Sequence, residues 1–125
     1  MTFTKIMAAW DVITRLMQEP NSYKMAYGLT RVKRELEPNV EFFREKEYEI
    51  IVLYAEKDAN GNVVFGENNT FKVPNEHISE FVAQHEELLA VEVDIEPYKI
   101  DDCPQTISGA DLEALEGIIE FKEPD

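Results

Sequence analysis

The chain has 125 residues, of which 44% are hydrophobic, and a formal net charge of −14. This length suits one domain with a buried core, and the apolar content excludes global disorder. No apolar run approaches the roughly 20 residues that span a bilayer, and no signal-type stretch follows the first residues, so we expect a protein without a membrane anchor. The single cysteine, Cys103, excludes an internal disulfide and a cysteine-based metal cage, which fits a reducing compartment.

The acidic charge is concentrated in one part of the chain. Residues 1–57 hold nine basic and nine acidic side chains, whereas residues 58–125 hold three basic and 17 acidic ones. The whole net charge therefore belongs to the second part. Such a field repels nucleic acid and anionic lipid and attracts cationic partners, although acidity also serves solubility alone.

Two amphipathic helices are predicted in the first part. Apolar residues recur at steps of three and four from Thr4 to Gln18, and Thr4 is the candidate N-cap. A second periodic run extends from Ser22 to Lys57 and keeps its phase across Pro38, which should end or kink a helix. We expect one long helix that is continuous, kinked or divided at Pro38. Its apolar stripe, which is core or interface, comprises Leu29, Val32, Leu36, Val40, Phe43, Ile50 and Tyr54.

Turn and strand signals follow the long helix. The segment 58–61 is typical of a turn, and the β-branched and aromatic runs 63–65 and 70–73 flank a second turn, which indicates a β-hairpin. Strict alternation from Val91 to Glu96 indicates a half-buried strand that would join the hairpin.

Two further helices are predicted in the acidic part. Asn75 is the candidate cap of a helix from Glu76 to Leu89. Ser108 and Asp111 resemble a capping box that opens a short helix. The apolar residues assigned to that helix are Leu112, Leu115, Ile118 and Ile119. The tail from Lys122 to Asp125 is expected to fray.

The predicted fold class is α+β. An N-terminal helical hairpin over residues 4–57 precedes a small antiparallel sheet of about three strands with packed helices over residues 58–125. We assign residues 1–125 to a single domain.

Signatures of an enzyme are missing from the sequence. It contains no glycine-rich phosphate loop and no G-x-S-x-G motif. His77 and His85 are eight residues apart, about 12 Å along a helix, and cannot share one metal ion. Cys103 follows two carboxylates, which would keep its thiol unreactive. We therefore predict a protein that is not an enzyme, with no catalytic residues, bound metal or cofactor.

A row of carboxylates is the sharpest local feature. Glu92, Asp94 and Glu96 share one face of the predicted strand, at steps of roughly 6.6 Å, and Asp101 and Asp102 follow. The row is a solvated strand face, a cation site or a strip that faces a basic partner. A flat ladder seldom converges on a cation, so we retain these five residues as a partner-facing acidic strip.

A basic patch lies on the long helix. Lys24, Arg31 and Arg34 fall broadly along one side, where they could dock phosphate or the acidic half of another copy. Pairing within the helix, for example between Arg31 and Glu35, also accounts for much of this charge.

The order of features resembles a known group. The long helix ends in Tyr54-Ala-Glu56-Lys57-Asp58-Ala-Asn-Gly61, and the hairpin, the Glu92–Glu96 strand and the closing Ile107-Ser108-x-x-Asp111-Leu112-x-x-Leu115 follow. This order resembles small uncharacterised proteins of bacteriophages and prophages, over most of the chain. The resemblance implies a non-catalytic role in the bacterial host cytoplasm or in a virion. It implies no particular binding residues.

Three functions are consistent with these observations. The first is a small acidic interaction protein that binds a protein with a basic surface and also self-associates. The second is an inhibitor that imitates nucleic acid and blocks a basic groove of a host protein or defence complex. The third is a virion or assembly component. Direct binding of nucleic acid or membrane is not expected.

Overall fold

The computed structural model describes residues 1–122 as a mixed α+β protein. Its helices and strands are α1 (Phe3–Leu16), α2 (Tyr23–Tyr54), α3 (Ile78–Leu89), β1 (Tyr98–Ile100), α4 (Gly109–Leu115) and β2 (Ile119–Phe121). The described residues form two compact units, one of residues 1–40 with 92–122 and one of residues 41–91. The single-domain assignment stays a prediction, and the fraying predicted for the tail concerns residues that, after Lys122, lie outside the described part.

The first helix begins earlier than predicted. Thr2, and not Thr4, is the N-cap, and its hydroxyl accepts a hydrogen bond from the Lys5 amide at 3.4 Å. This start brings Phe3 into the apolar face of α1, where it is buried. The buried residues of α1 are Phe3, Ile6, Ala9, Trp10, Val12, Ile13 and Leu16.

The second helix continues through Pro38. Ser22 caps its start, because the Ser22 hydroxyl accepts from the Met25 amide at 3.1 Å. Pro38 has no N–H to donate to the Arg34 carbonyl. Because Pro38 is exposed, water can hydrogen-bond that carbonyl instead. The predicted stripe is buried at Leu29, Val32, Leu36, Val40 and Phe43 and half-buried at Ile50 and Tyr54.

The predicted three-stranded antiparallel sheet is not the sheet that forms. β1 and β2 pair in parallel as a two-stranded sheet, with Tyr98 opposite Ile119 and Ile100 opposite Phe121. Within the described residues, segment 91–96 contributes only an antiparallel bridge between Thr2 and Glu92.

The last predicted helix also ends early, and this frees the chain for β2. α4 begins as predicted, since the Ser108 hydroxyl accepts from the Asp111 amide at 3.1 Å. It ends at Leu115, and Gly117 then takes a φ of 82°, which a glycine adopts without strain. Ile119 therefore lies in β2 and not in a helix.

The predicted hairpin forms turns but no strands. The Asp58 carboxylate accepts from the amides of Asn60 at 2.8 Å and Asn62 at 3.1 Å, which confirms the first turn. Runs 63–65 and 70–73 do not pair with each other as strands; instead the backbone of Glu56 bonds to Val64 and to Lys72.

The third helix begins after a short 3-10 turn over Asn75–His77. Its N-cap is His77, with no side-chain capping bond, so the predicted Asn75 cap and Glu76 start are wrong. Among the described residues, no helix combines the length and the apolar character needed to cross a bilayer.

Candidate functional site

A cavity of about 210 Å³ gathers acidic side chains against α2. Its rim carries Glu35 of α2 together with Asp94 and Glu96 of the segment before β1, and all three residues are exposed. Asn39 of α2 adds a neutral amide to the same lining. The site thus presents three carboxylates around one concavity, which we call the acidic cavity.

The floor of the acidic cavity is apolar. It is lined by Val32, Leu36, Ile95 and Ile118, of which Val32, Leu36 and Ile118 are buried. Val32 and Leu36 lie on the core side of α2, Ile95 lies before β1 and Ile118 lies before β2, so the floor is formed by packing that the fold itself requires. The cavity therefore combines an apolar base with an anionic rim.

Backbone pairing holds the segment that carries two of these carboxylates. The amide of Val93 donates to the Met1 carbonyl at 2.7 Å, and the Met1 nitrogen donates to the Val93 carbonyl at 3.0 Å. The neighbouring Thr2–Glu92 bridge is antiparallel. Since these bonds fix Val93 to Met1, just before α1, main-chain pairing positions the neighbouring Asp94.

The predicted acidic strip is divided between two places. Asp94 and Glu96 lie in the acidic cavity, and Glu92 is exposed outside its lining. Asp102 instead accepts hydrogen bonds from the Ser22 hydroxyl and from the Cys103 amide, the latter at 2.8 Å. These bonds hold the pKa of Asp102 below its ordinary value, the Ser22 bond most of all.

The predicted basic patch is likewise not one site. Lys24 Nζ lies 3.8 Å from Asp101 Oδ2, and both side chains are largely exposed, so this pair is weak. Arg31 and Arg34 are exposed, and within residues 1–122 neither has a carboxylate within ion-pair distance. The predicted pairing of Arg31 with Glu35 is not formed.

The unit of residues 41–91 contains an aromatic cluster around His85. Phe81 stacks on the His85 ring with centroids 5.8 Å apart, and Phe43 meets it edge-on at 6.4 Å. The His85 Nε2 lies 2.9 Å from Glu47 Oε2, which joins α3 to α2 within this unit. These contacts give His85 a packing role within this unit.

A second concave surface lies between α4 and β2. It has a volume of about 590 Å³ and an apolar lining that includes Ile107, Leu112, Ile119 and Phe121. Hydrophobic spacing assigned Leu112 and Ile119 to a helix core. The sequence carries no signal for this cavity, because it depends on the turn at Gly117.

Sequence reasoning also missed Glu35 and Asn39. Both lie on α2, far in sequence from Asp94, and only the packing of the segment before β1 along α2 brings the three together. Glu35 is three positions from Val32, so a helical wheel places it at the border of the buried stripe. This border position is the feature of the sequence that could have pointed to Glu35 as a site residue.

The described residues offer no grouping of three or more His, Cys, Asp or Glu side chains that could hold a metal ion. No protein-family model matches the chain, and neither the curated proteins nor the solved structures yield a match.

Proposed function

We propose that this chain is a non-enzymatic, phage- or prophage-type interaction protein that binds a protein with a basic surface at the acidic cavity. The observation that carries the proposal is the combination of an apolar floor with three carboxylates at its rim. An arginine or lysine of the partner would place its methylene stem on Val32, Leu36 and Ile118 and its charge beside the carboxylates.

Arginine is the better fit of the two cations. Its planar guanidinium donates five hydrogen bonds in a fixed geometry and can engage Glu35 and Asp94 or Glu96 together, whereas an ammonium is a point charge. The net charge of −14 adds a long-range attraction that raises the rate of encounter with a cationic partner. Binding should consequently weaken as salt is added.

The place of action is proposed from the resemblance described above, which is to proteins of phages and prophages. On that basis the protein acts in the bacterial host cytoplasm or in a virion. Nothing in the acidic cavity depends on that origin, so the binding proposal and the origin can be tested separately.

Imitation of nucleic acid is the alternative that this geometry favours less. A phosphate-like row needs many evenly spaced carboxylates, whereas the five acidic residues of the predicted strip are divided between separate places, and Asp102 is hydrogen-bonded to Ser22. Competition between this protein and DNA for a basic DNA-binding protein would support that alternative. A role as a virion or assembly component requires self-association, which the acidic cavity does not explain.

A defined peptide tests the proposal. Calorimetric titration with a short arginine-rich peptide should show binding to the wild type and its loss in Glu35→Gln/Asp94→Asn/Glu96→Gln. The matched control is Glu80→Gln/Glu86→Gln/Glu87→Gln, which removes three exposed charges from α3 and should bind like the wild type. Equal loss in both variants would mean that net charge, and not the cavity, attracts the peptide, and would refute the proposal.

A further inference from the structure

β2 has one edge that is not paired with a strand. On its paired side, the Tyr98 amide donates to the Ile118 carbonyl at 2.9 Å. A parallel ladder uses every second residue of a strand, so the main-chain groups of Glu120 face β1 as well. Those of Ile119 and Phe121 point to the opposite side, which we call the free edge of β2. The described residues supply no hydrogen-bond partner for these groups there.

An unpaired strand edge is a template for another extended chain. Its amides and carbonyls are strong hydrogen-bonding groups, and leaving them unbonded costs free energy where water reaches them poorly. Ile119 is only 5% exposed and Phe121 is half-buried, so water has limited access to both. A sheet of two strands also gains stability from a third. The free edge of β2 therefore favours the addition of a strand.

The apolar cavity of about 590 Å³ borders the free edge and not the paired side of β2. Its lining includes Ile119, Phe121 and Lys122, and among the described residues it includes none of β1. Ile107 and Leu112 extend the apolar lining beside them. An extended chain on this edge places every second side chain on one face, where the cavity can receive it. Strand addition uses these two features together, main-chain bonds for affinity and a cavity for side chains.

The charges at the rim of the cavity favour a basic partner. Glu113 and Glu116 are exposed carboxylates in the lining, and Lys122 is its cation. Two anions against one cation leave the rim anionic, so it attracts a lysine or arginine and repels a carboxylate. A second copy is a poor occupant, because it would bring a net charge of −14 and the same two carboxylates to this rim.

We propose that the free edge of β2 binds an extended apolar segment of a partner protein, flanked by lysine or arginine. The segment pairs through its main chain with Ile119 and Phe121. Its apolar side chains occupy the cavity beside Ile107 and Leu112, and its basic side chains lie near the two rim carboxylates.

This site is separate from the acidic cavity, and the inference does not rest on the proposed function. Among the described residues, the two linings have none in common. Failure to bind the arginine-rich peptide would refute the proposed function alone. Failure to bind the strand peptide defined below would overturn this inference alone.

Amide hydrogen exchange followed by NMR tests strand addition directly. The strand peptide is acetylated and amidated and has about six residues, the usual length of a strand, with leucine alternating with threonine and a lysine at each end. Titrated to about 1 mM, it should slow the exchange of the Ile119 and Phe121 amides by about tenfold, because both gain a hydrogen bond. The same peptide with every amide N-methylated keeps its side chains but cannot pair, and it should not bind.

A matched pair of variants tests the cavity. Leu112→Ser should weaken binding of the strand peptide by about tenfold, because it removes an apolar contact from the lining. Leu112 is 47% exposed, so circular dichroism of this variant should match the wild type. Val64→Ser makes a similar change at a residue that is 46% exposed in the other unit, and should bind like the wild type.

A second pair tests the charged rim. Glu113→Gln/Glu116→Gln should weaken binding of the strand peptide by about threefold to tenfold, because its lysines lose their nearest carboxylates. Glu86→Gln/Glu87→Gln changes the net charge equally on α3 and should bind like the wild type.

Three results would overturn the inference. The first is exchange at Ile119 and Phe121 that does not slow up to about 1 mM peptide. The second is equal binding of the N-methylated peptide, which would mean that side chains alone are held. The third is protection of the same two amides by dimerisation without peptide, since the occupant would then be a second copy.

Discussion

Gly28 of α2 lies directly against the side chain of Ile100 in β1. A Cβ atom at position 28 would be 2.7 Å from both Cγ1 and Cδ1 of Ile100, which is closer than van der Waals contact allows. Ile100 is buried and paired in the sheet, so its side chain has little room to move away. The absence of a side chain at Gly28 thus permits the close approach of α2 to the parallel sheet.

We expect Gly28→Ala to destabilise the protein although alanine is the better helix former. The helix preference for alanine is worth about 1 kcal/mol, whereas overpacking a core costs about 1–3 kcal/mol. Because the clash involves a buried branched side chain, the free energy of unfolding should fall by about 1–2 kcal/mol. Urea denaturation followed by circular dichroism measures this change.

Gly109→Ala is the matched control. Gly109 opens α4, and a Cβ there meets no atom within 4 Å. The stability of the Gly109→Ala variant should be unchanged or slightly higher, since alanine allows the unfolded chain fewer conformations than glycine does. A loss of stability at position 109 that equals the loss at position 28 would contradict the contact argument.

The helices were predictable because their signal is local. Buried residues recur at steps of three and four along α1 and α2, and the buried members of the α2 stripe include Leu29, Val32, Leu36 and Val40. The Ser108 cap was also readable, because a cap depends on residues three positions apart.

The sheet was not predictable because its pairing is distant in sequence. Runs 63–65 and 70–73 have strand-forming composition, yet Val64 and Phe65 are exposed, and in this region the described residues form an isolated antiparallel bridge between Lys57 and Val63 and not a strand. Tyr98 and Ile119 pair instead, across a helix and a turn that ends at Gly117. Glu35 lines the acidic cavity because segments that are distant in sequence pack together, so its place there was not predicted either. Asp94 and Glu96, in contrast, could be singled out from the alternation of residues 91–96 alone.

The ion pair between Arg15 and Asp111 should make stability depend on pH in acid. Arg15 Nη2 lies 2.5 Å from Asp111 Oδ1, and this bond holds the pKa of Asp111 below its ordinary value of about 3.9. A carboxylate whose pKa is lowered by folding stabilises the folded state at pH values above the ordinary pKa of that carboxylate. That contribution is lost as the pH falls through the lowered value.

Asp111→Asn should therefore be less stable than the wild type at pH 7, and the difference should vanish at a pH below the lowered pKa. Thermal unfolding between pH 7 and pH 2 measures the difference. Asp11→Asn, at an exposed position of α1 without an ion pair in the described residues, is the matched control and should have the wild-type stability at pH 7. A constant difference between Asp111→Asn and the wild type down to pH 2 would exclude this linkage.

Ser22 links the start of α2 to Asp102. Its hydroxyl accepts from the Met25 amide as an N-cap and donates to the Asp102 carboxylate. Ser22→Ala should lower the free energy of unfolding by about 1 kcal/mol, the usual cost of losing a cap. The pKa of Asp102 should also rise toward its ordinary value, because its principal hydrogen bond is removed.

Carbon-detected NMR titration of the Asp102 carboxyl group measures that pKa, and urea denaturation measures the stability. Ser79→Ala is the control, since Ser79 is an exposed residue of α3 and alanine suits a helix better than serine. An Asp102 pKa that does not move in Ser22→Ala would contradict this assignment and leave the Cys103 amide and the nearby charges of Lys24 and Lys122 as the groups that lower it.

The hydrogen bond between Glu47 and His85 should stabilise the unit of residues 41–91. Both side chains are about one third exposed, and the Nε2 to Oε2 distance is 2.9 Å. Glu47→Ala removes this bond and should lower the free energy of unfolding by about 1 kcal/mol, the typical net value of one hydrogen bond. Glu87→Ala makes the same chemical change at an exposed site and should leave stability within about 0.5 kcal/mol of the wild type.

Because His85 also stacks on Phe81, His85→Ala should lower the free energy of unfolding more than Glu47→Ala does. The double variant should lose less than the sum of the two single losses. Urea denaturation measures the free energy of unfolding of each variant in this double-mutant cycle. Additive losses would mean that the two side chains act independently and that the hydrogen bond between Glu47 and His85 contributes nothing measurable.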